Sequence, residues 1–577
     1  MKSIYIYRKI VLLSVTVLAT LMTSCTDFLT IIPPDRIVHE QFWQTKDDVN
    51  GMLATSYLKL ATTDAVSKAI IWGELRADNI TFESGKSKDD PIRYIVEANI
   101  NEENTYTKWG IFYEAINYAN LVIEYAPLVV ERDPDFGPGD LDVAVGEMYA
   151  MRALCHFYLV RTFRDIPMAL VPAINDSELP AYEQVHPLEA LDYIMQDLDS
   201  AENKVMLTYS DPKSNRGRIT RNAVLAMKAD VNLWRAAFTD WCSKCGEEKY
   251  NKHPLVNANV QSYYSECIDN CQAVLNNIDK VHENNNSKPG HGKNEDELPY
   301  HLISNHDENA IKNETFQSRV YDEIFGQENS AESIFELQID QKLCESYSLG
   351  LTSMYGHKDA AGQLEVPRSF MNKYERDDLR KYSYTNFPYV TGAQEPAKLA
   401  VAKYISKESP TPETMRAQKD IDANWIVYRQ TDVMLMMAEA LVLQPSVNSN
   451  DIKKSFEIVN LINTRSRVDT TNIRNPLKLP ADAASAVELV LDERVRELAF
   501  EGKRWYDLVR KALRENTTDN IKFVADKLTS NVTSLKNKML KIDNLFLPIY
   551  IDELRFNKNL VQNPAYDSVD SSIGMNK

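Results

Sequence analysis

Apolar residues along this chain recur mostly at helical spacing. Periods near 3.6 residues predict helices over residues 47–61, 107–131, 140–163, 187–206, 219–239, 260–279, 428–443, 451–467 and 484–513. Thr45, just ahead of Lys46-Asp47-Asp48, is placed to cap the first of them. Neighbouring patterns pair off, 219–239 with 260–279 and 428–443 with 451–467. Small residues on their faces (Ala226, Ala229, Ala236, Ala237, Ala438, Ala440) let the partners approach closely. No strict repeat of about 34 residues carries the full tetratricopeptide signature. The expected fold is therefore mainly α, with a degenerate tetratricopeptide-like helical-repeat (α-solenoid) core. Glu332–Ile339 alternates enough to be one strand.

Two stretches interrupt the helical rhythm. Residues 280–316 are rich in Asn, His, Gly and acid and read as a surface loop, while 341–425 mix Tyr, Pro, Gly and charge without periodicity. Long irregular insertions on a rigid scaffold are where binding concentrates. The chain is divided accordingly into 1–24, an export signal; 25–46, a tether; 47–340, a helical N-terminal region; 341–425, an irregular insertion; and 426–577, a C-terminal region.

Within the last region, ERVRELAFEGKRWYDLVR (Glu493–Arg510) continues an apolar stripe of Leu491, Val495, Leu498, Trp505 and Leu508, with Gly502 on the same stripe. That pattern predicts one buried helix face on which glycine lets a neighbour come close. Glu493/Arg496, Glu501/Arg504 and Asp507/Arg510 form i,i+3 pairs on its charged back.

At the N-terminus, Lys2, Arg8 and Lys9 precede an apolar run of thirteen residues, Ile10–Met22. A membrane span needs about 20, so the run reads as an export signal. It ends Leu21-Met22-Thr23-Ser24-Cys25, which has the form of a lipobox with Cys25 as the acylated residue. Such a chain is anchored to a membrane and does not span it. Removing the three cations of residues 1–24 takes the formal charge from −18 to −21. That balance argues against nucleic acid and anionic lipid surfaces as partners. Twenty-nine tyrosines and seven tryptophans are a generous supply of flat rings, compatible with stacking on sugars, although most will pack in the core.

The motifs, taken in order, resemble one family. DFLTIIPPDRI with FWQTKDDVNGML, WGELRADN, YEAINYANLVIE, GEMYAMRALCHFYLVRTFRDIPM, GRITRNAVLAMKADVNLWRAA, ESIFELQ, YRQTDVMLMMAEAL, VNLINTRSR, ELAFEGKRWYDL and LFLPIYIDELRFNKNLVQNPAY follow the succession of the SusD/RagB family, surface lipoproteins that capture nutrients for TonB-dependent transporters. The resemblance spans nearly the whole chain after Cys25. It implies a non-catalytic, lipid-anchored outer-membrane protein that binds extracellular glycan and delivers it to a TonB-dependent transporter. It also implies a ligand surface made by an N-terminal segment, here Glu74–Asn104, and a later insertion. On this sequence the matching candidates are Asp78, Asn79, Tyr94 and Asn101 in the first, and Tyr347, Tyr355 and His357 in the second. Met22 in the lipobox, the His/Asn-rich loop and the cysteine clusters depart from the family pattern. Peptide capture, as in the RagB branch, and a protein-interaction scaffold are the alternatives.

Other constellations carry less. Cys242-x2-Cys245 and Cys267-x3-Cys271 resemble a four-thiolate zinc site, but an exported chain favours disulfides linking one helix end to its neighbour, and buried free thiols stand as a third reading. Cys155 reads as a small core residue. His282, His291, His301 and His306 fall in the polar loop. Asp133, Asp135, Asp140 and Asp142 surround Gly137 and Gly139 without the EF-hand order and read as a turn between helices. No GxSxG, HExxH or GxxxxGK[ST] pattern occurs, so neither catalysis, metal nor cofactor is expected.

Overall fold

Thr45 caps the first helix from the position its sequence gave it. Its hydroxyl accepts from the Asp48 N–H while the Asp48 carboxylate accepts from the Thr45 N–H (2.7 Å), closing a capping box. The structure, a computed structural model, describes residues 42–82, 91–174, 181–286, 298–305, 318–339, 349–357, 360–384, 399–407, 414–417, 423–469, 473, 475–515, 522, 524–527 and 533–566.

The principal helices are α1 (Lys46–Leu60), α2 (Thr63–Glu74), α3 (Pro91–Val96), α4 (Gly110–Val129), α5 (Pro138–Phe163), α6 (Pro187–Glu202), α7 (Arg221–Lys244), α8 (Val260–Asn286), α9 (Leu349–Tyr355), α10 (Gln430–Leu443), α11 (Ser449–Arg465), α12 (Ala483–Glu497), α13 (Arg504–Glu515) and α14 (Ile551–Phe556). Contacts run α1 to α4, then α5, α6, α7, α8 and α10, and from α10 to α11 and α12. Each helix packs mainly on its neighbours in this path, which is the helical-repeat arrangement the periodicity predicts. Helix α13 turns back onto α7 and α2, so the two ends of the chain share one core. No helix among the described residues is long and apolar enough to cross a membrane.

Strands are short and antiparallel: β1 (Thr81–Phe82) with β7 (Leu364–Glu365), β2 (Ile166–Pro167) with β3 (Gln184–Val185), β4 (Ser333–Leu337) with β8 (Trp425–Arg429), and β5 (Gly356–His357) with β6 (Ala360–Ala361). The predicted strand at 332–339 is present as β4. Its partner β8, buried on both faces, has no alternation to reveal it.

Three other differences have physical causes. Helix α2 is buried almost all round, so it lacks the polar stripe that makes a helix legible. Helix α8 runs on to Asn286, into the predicted loop. The pattern over 484–513 is two helices, not one. Helix α12 stops at Glu497, Phe500 and Gly502 take positive φ (68° and 70°), and α13 starts at Arg504. Gly502 does permit a close approach, from within that break: a Cβ on Gly73 would lie 2.0 Å from the Gly502 carbonyl oxygen.

The charged back of this segment is not exposed. Arg429, itself 0% exposed, meets Glu497 (2.7 Å) and Glu501 (2.8 Å), and Arg465 and Arg380 each reach Glu497 at 2.9 Å. Lys403 donates to the Glu497 and Ala499 carbonyls and to Glu501. Beside this cluster, Arg494 joins Asp432 and Asp507, and Arg510 and Arg514 share Glu439. Of the expected i,i+3 pairs, Glu493/Arg496 and Asp507/Arg510 form, whereas Glu501 and Arg504 turn to other partners. Burial pushes the Glu497 carboxyl up, and Arg429, Arg465 and Arg380 more than reverse it, holding it well below the usual carboxylate range.

Candidate functional site

The N-terminal segment and the insertion meet. Thr81 pairs with Glu365 and Phe82 with Leu364 across β1 and β7, α3 lies against β1, and α9 packs on α2. The two segments that family resemblance nominated thus form one surface. Most of the nominated side chains, however, hold that surface together.

Asp78 binds Arg504 through both oxygens (2.9 and 3.2 Å) and has Lys373 at 3.5 Å. Burial raises its carboxyl and Arg504 and Lys373 overcome that, bringing it down to about 2. Asn79 is fully buried and donates to Glu74 (2.5 Å). Glu74 in turn accepts from the Gly502 N–H (2.9 Å) and the Lys503 N–H (3.4 Å) at the start of α13, where a carboxylate is favoured. Burial nevertheless pushes Glu74 up to about 7, opposed by those three hydrogen bonds. Asp78 therefore clamps the N-terminal segment to the C-terminal signature directly, and Asn79 supports the same clamp through Glu74.

Tyr355 requires correction as a stacking platform. It is 0% exposed, stacks on Tyr404 with centroids 6.2 Å apart, and donates its hydroxyl to the Phe500 carbonyl (2.9 Å). His357 is buried in β5. Tyr347 and Cys25 lie outside the described residues, as do His291 and His306.

Two candidates keep exposed surface. Tyr94, in α3, is half-buried with the Arg93 guanidinium 5.1 Å from its ring centroid. Asn101 is exposed, and among the described residues only its backbone carbonyl is engaged, by the Asn104 N–H (3.2 Å). Asn104 pins this stretch by donating to the Pro91 carbonyl and accepting from the Tyr106 N–H. Asn99 and Lys538, which sequence reasoning missed, complete the edge, with Lys538 Nζ 3.4 Å from Asn99 Oδ1. The polar run Asn99–Asn104 could have flagged Asn99. Nothing local could have flagged Lys538, which arrives from 439 residues away. All seven tryptophans are buried, none above 3% exposure, so open ring faces come from tyrosine and phenylalanine.

Among the described residues the expected disulfides do not form: Cys242, Cys245, Cys267 and Cys271 are free thiols, as is Cys155. Cys242 faces His186 (3.8 Å), whereas Cys267 faces the Met436 carbonyl (3.9 Å) on α10, so the thiols of α7 and α8 point to different neighbours. Cys245 donates to the Cys242 carbonyl, one turn back at the end of α7. His282 and His301 stack with centroids 4.1 Å apart. The aspartates around Gly137 form the expected turn, in which Asp140 accepts from the Gly137 N–H and pairs with Lys46 at 2.9 Å.

Comparison with known proteins accords with this architecture. The family model described as "SusD family" matches residues 299–566, and the one described as "Starch-binding associating with outer membrane" matches residues 28–233. SusD-like protein P38 of Formosa agariphila is 25% identical over 514 residues, covering 85% of this chain and 88% of that protein. SusD-like protein P25 of the same organism is 22% identical over 573 residues, covering 94% and 96%. Among solved structures, a SusD homolog from Bacteroides thetaiotaomicron superposes with a TM-score of 0.65 at 17% identity, covering 91% of this chain and 98% of its own. A laminarin binding SusD-like protein does so with a TM-score of 0.61 at 20% identity, covering 91% and 100%. With two family models dividing the chain between them and relatives matching it nearly end to end, this chain belongs to the SusD/RagB family.

Proposed function

We propose that this chain is a surface-exposed, lipid-anchored binding protein that captures extracellular glycan and passes it to a TonB-dependent outer-membrane transporter. One observation carries the reading. The family model whose description names starch binding and outer-membrane association covers residues 28–233, and inside that span the Tyr94–Asn101 edge is held rigidly while its ring and amide face outward. The laminarin-binding neighbour supports the same ligand class. Capture of this kind needs no bond-making, only ring contacts and a few directed hydrogen bonds with reversible release. Acylation at Cys25 would supply the anchor, and the covered ligand would be released into the transporter beneath.

Calorimetry on residues 26–577 with plant, host and microbial glycans and a peptide digest tests the reading. Saturable binding of one glycan class, weakened by Tyr94→Ala, is expected. Binding of the digest alone would overturn glycan capture in favour of peptide cargo. Cys25→Ser should move the full chain from the membrane to the soluble fraction, and affinity purification of the acylated chain from outer membranes should retain a large barrel protein.

A further inference from the structure

A cleft opens at the N-terminal half of α4, and none of the nominated residues lines it. Its volume is about 800 Å³, within the range of small-molecule and oligosaccharide sites. Three separated parts of the chain wall it: Trp109, Tyr113 and Tyr118 at α4, residues 167–174 with Tyr182, and Phe556 with Leu560 at α14.

The walls are built in advance. Residues 169–173 belong to no helix or strand, yet Asn120 donates to the Ala169 and Val171 carbonyls (3.0 and 3.1 Å), and Asn117 exchanges two hydrogen bonds with Ala173 (2.7 and 3.1 Å). Across the cleft, Asn557 and Asn559 donate to the Tyr182 and Ala181 carbonyls (2.8 and 2.6 Å). A cleft fixed this way binds without a large ordering cost.

We propose that this cleft is a second glycan site, taking a neutral oligosaccharide whose ring faces lie on Tyr118, Tyr182 and Phe556 and whose hydroxyls meet the two phenols and Glu553. The proposal rests on the glycan reading above. Among the described residues neither the Tyr118 nor the Tyr182 hydroxyl has a hydrogen-bond partner, in contrast to Tyr113, whose hydroxyl is spent on the Pro167 carbonyl (2.8 Å). Phe556 is 73% exposed, and Val171 and Ile174 on the facing wall are also exposed, so apolar surface is open on both sides of the cleft. Glu553 lines the cleft and carries no ion pair among the described residues, so its carboxylate offers acceptor capacity to a pair of neighbouring hydroxyls. It also lines the adjoining pocket of about 430 Å³ with Thr105, Lys108 and Glu114, which extends the cleft back toward Asn101. Glu114 is already paired with Lys59 (2.6 Å). Of the charged groups that line the cleft itself, Glu114 is paired and Glu553 is not, while Lys68 and Lys108 line only the adjoining pocket, so the cleft favours a neutral sugar over a carboxylated or sulfated one.

An extended peptide fits less well. Capture of that kind uses free main-chain groups along an edge, and here the carbonyls of Ala169, Val171, Ala173, Ala181 and Tyr182 are all engaged by asparagine side chains.

The test is calorimetry of residues 26–577 with laminarin and starch oligosaccharides, their carboxylated derivatives and a Leu/Lys hexapeptide. The wild type is compared with Tyr182→Ala, Phe556→Ala, Glu553→Gln and Tyr94→Ala. Among the described residues Tyr182 and Phe556 make no side-chain hydrogen bond, so both variants are expected to fold, which circular dichroism checks. At least tenfold weaker binding of a neutral glycan in Tyr182→Ala, with Glu553→Gln narrowing the preference for neutral over carboxylated forms, is expected. Glycan binding that Tyr94→Ala weakens and both cleft variants leave unchanged would overturn the second site while glycan capture stands. Hexapeptide binding abolished by Tyr182→Ala, with every glycan silent, would overturn both and give the cleft to a polypeptide.

Discussion

The Glu493–Arg514 segment and the Tyr94–Asn101 edge treat polar groups in opposite ways. In the first, Glu497 alone receives three arginines, and Glu493, Glu501, Asp507 and Arg510 are each no more than 2% exposed. In the second, Asn101 leaves its amide in solvent and Tyr94 keeps part of its ring open. Charge density marks the scaffold here, and on the proposed reading spare hydrogen-bonding capacity marks the surface offered to a ligand. The two are connected through Asp78 with Arg504 and Glu74 with Gly502. The richly charged motif is therefore one step removed from the proposed site: it holds the segment that carries the quiet edge.

The largest effect should come from breaking the buried cluster. Glu497→Ala leaves Arg429, Arg465 and Arg380 facing one another without their shared carboxylate. Stranding buried charge in this way costs about 3–5 kcal/mol, to be read from urea denaturation at neutral pH. A variant as stable as the wild type would show that water reaches the cluster. Gly73→Ala comes next. Its Cβ would meet the Gly502 carbonyl carbon at 2.4 Å and its oxygen closer still, both backbone atoms that cannot swing away. A loss of about 1–3 kcal/mol follows from overpacking, together with weaker glycan binding, because α2 leads directly into the binding segment.

The pH dependence separates two kinds of buried carboxylate. Asp432, which Lys503 and Arg494 bring down to about 2 against the effect of burial, and Asp78, also about 2, have folded values below their ordinary 3.8. Their stabilisation is present above about pH 4 and is lost as pH falls toward 2. Glu74 has the opposite sign. With its ordinary value of 4.5 raised to about 7, its contribution is complete below pH 4.5 and is lost as pH rises through 7. Glu74→Gln should therefore flatten the decline between pH 4.5 and 7 and leave the acid limb unchanged, as denaturation at a series of pH values would show. An unaltered decline would place its origin elsewhere.

How legible each region was follows from the same physics. Helices with one buried stripe, such as α1, α6 and α8, announced themselves through period and caps. Helix α2 and strand β8 are buried all round and carry no stripe. The break at Leu498–Lys503 was hidden because Gly502 sits on the apolar period while its φ of 70° ends the helix; close approach and chain reversal have the same sequence mark. Resemblance nominated two segments that meet in the fold, and within them it named Asp78, Asn79 and Tyr355, whose structural partners no local pattern reveals. The cysteines misled for a related reason, since spacing along a chain says nothing about which neighbour a thiol faces. Lys538 and the cleft walls depend on contacts made across hundreds of residues.

The smallest effect on stability should accompany a specific effect on binding. Asn101→Ala removes an exposed amide with no hydrogen-bond partner among the described residues and leaves the backbone hydrogen bond from Asn104 in place. Surface changes away from structural contacts stay within about 0.5 kcal/mol, so the unfolding midpoint should not move measurably. On the glycan reading, one directed hydrogen bond is worth about 0.5–1.5 kcal/mol, which corresponds to a loss of affinity of about two- to tenfold by calorimetry. Asp78→Asn makes the informative partner. It loses charge against Arg504, should lower the midpoint, and should weaken the same ligand without touching it, by loosening the segment that carries Asn101. If Asn101→Ala lowers the midpoint while affinity is unchanged, the edge belongs to the scaffold and the contrast between the two regions fails.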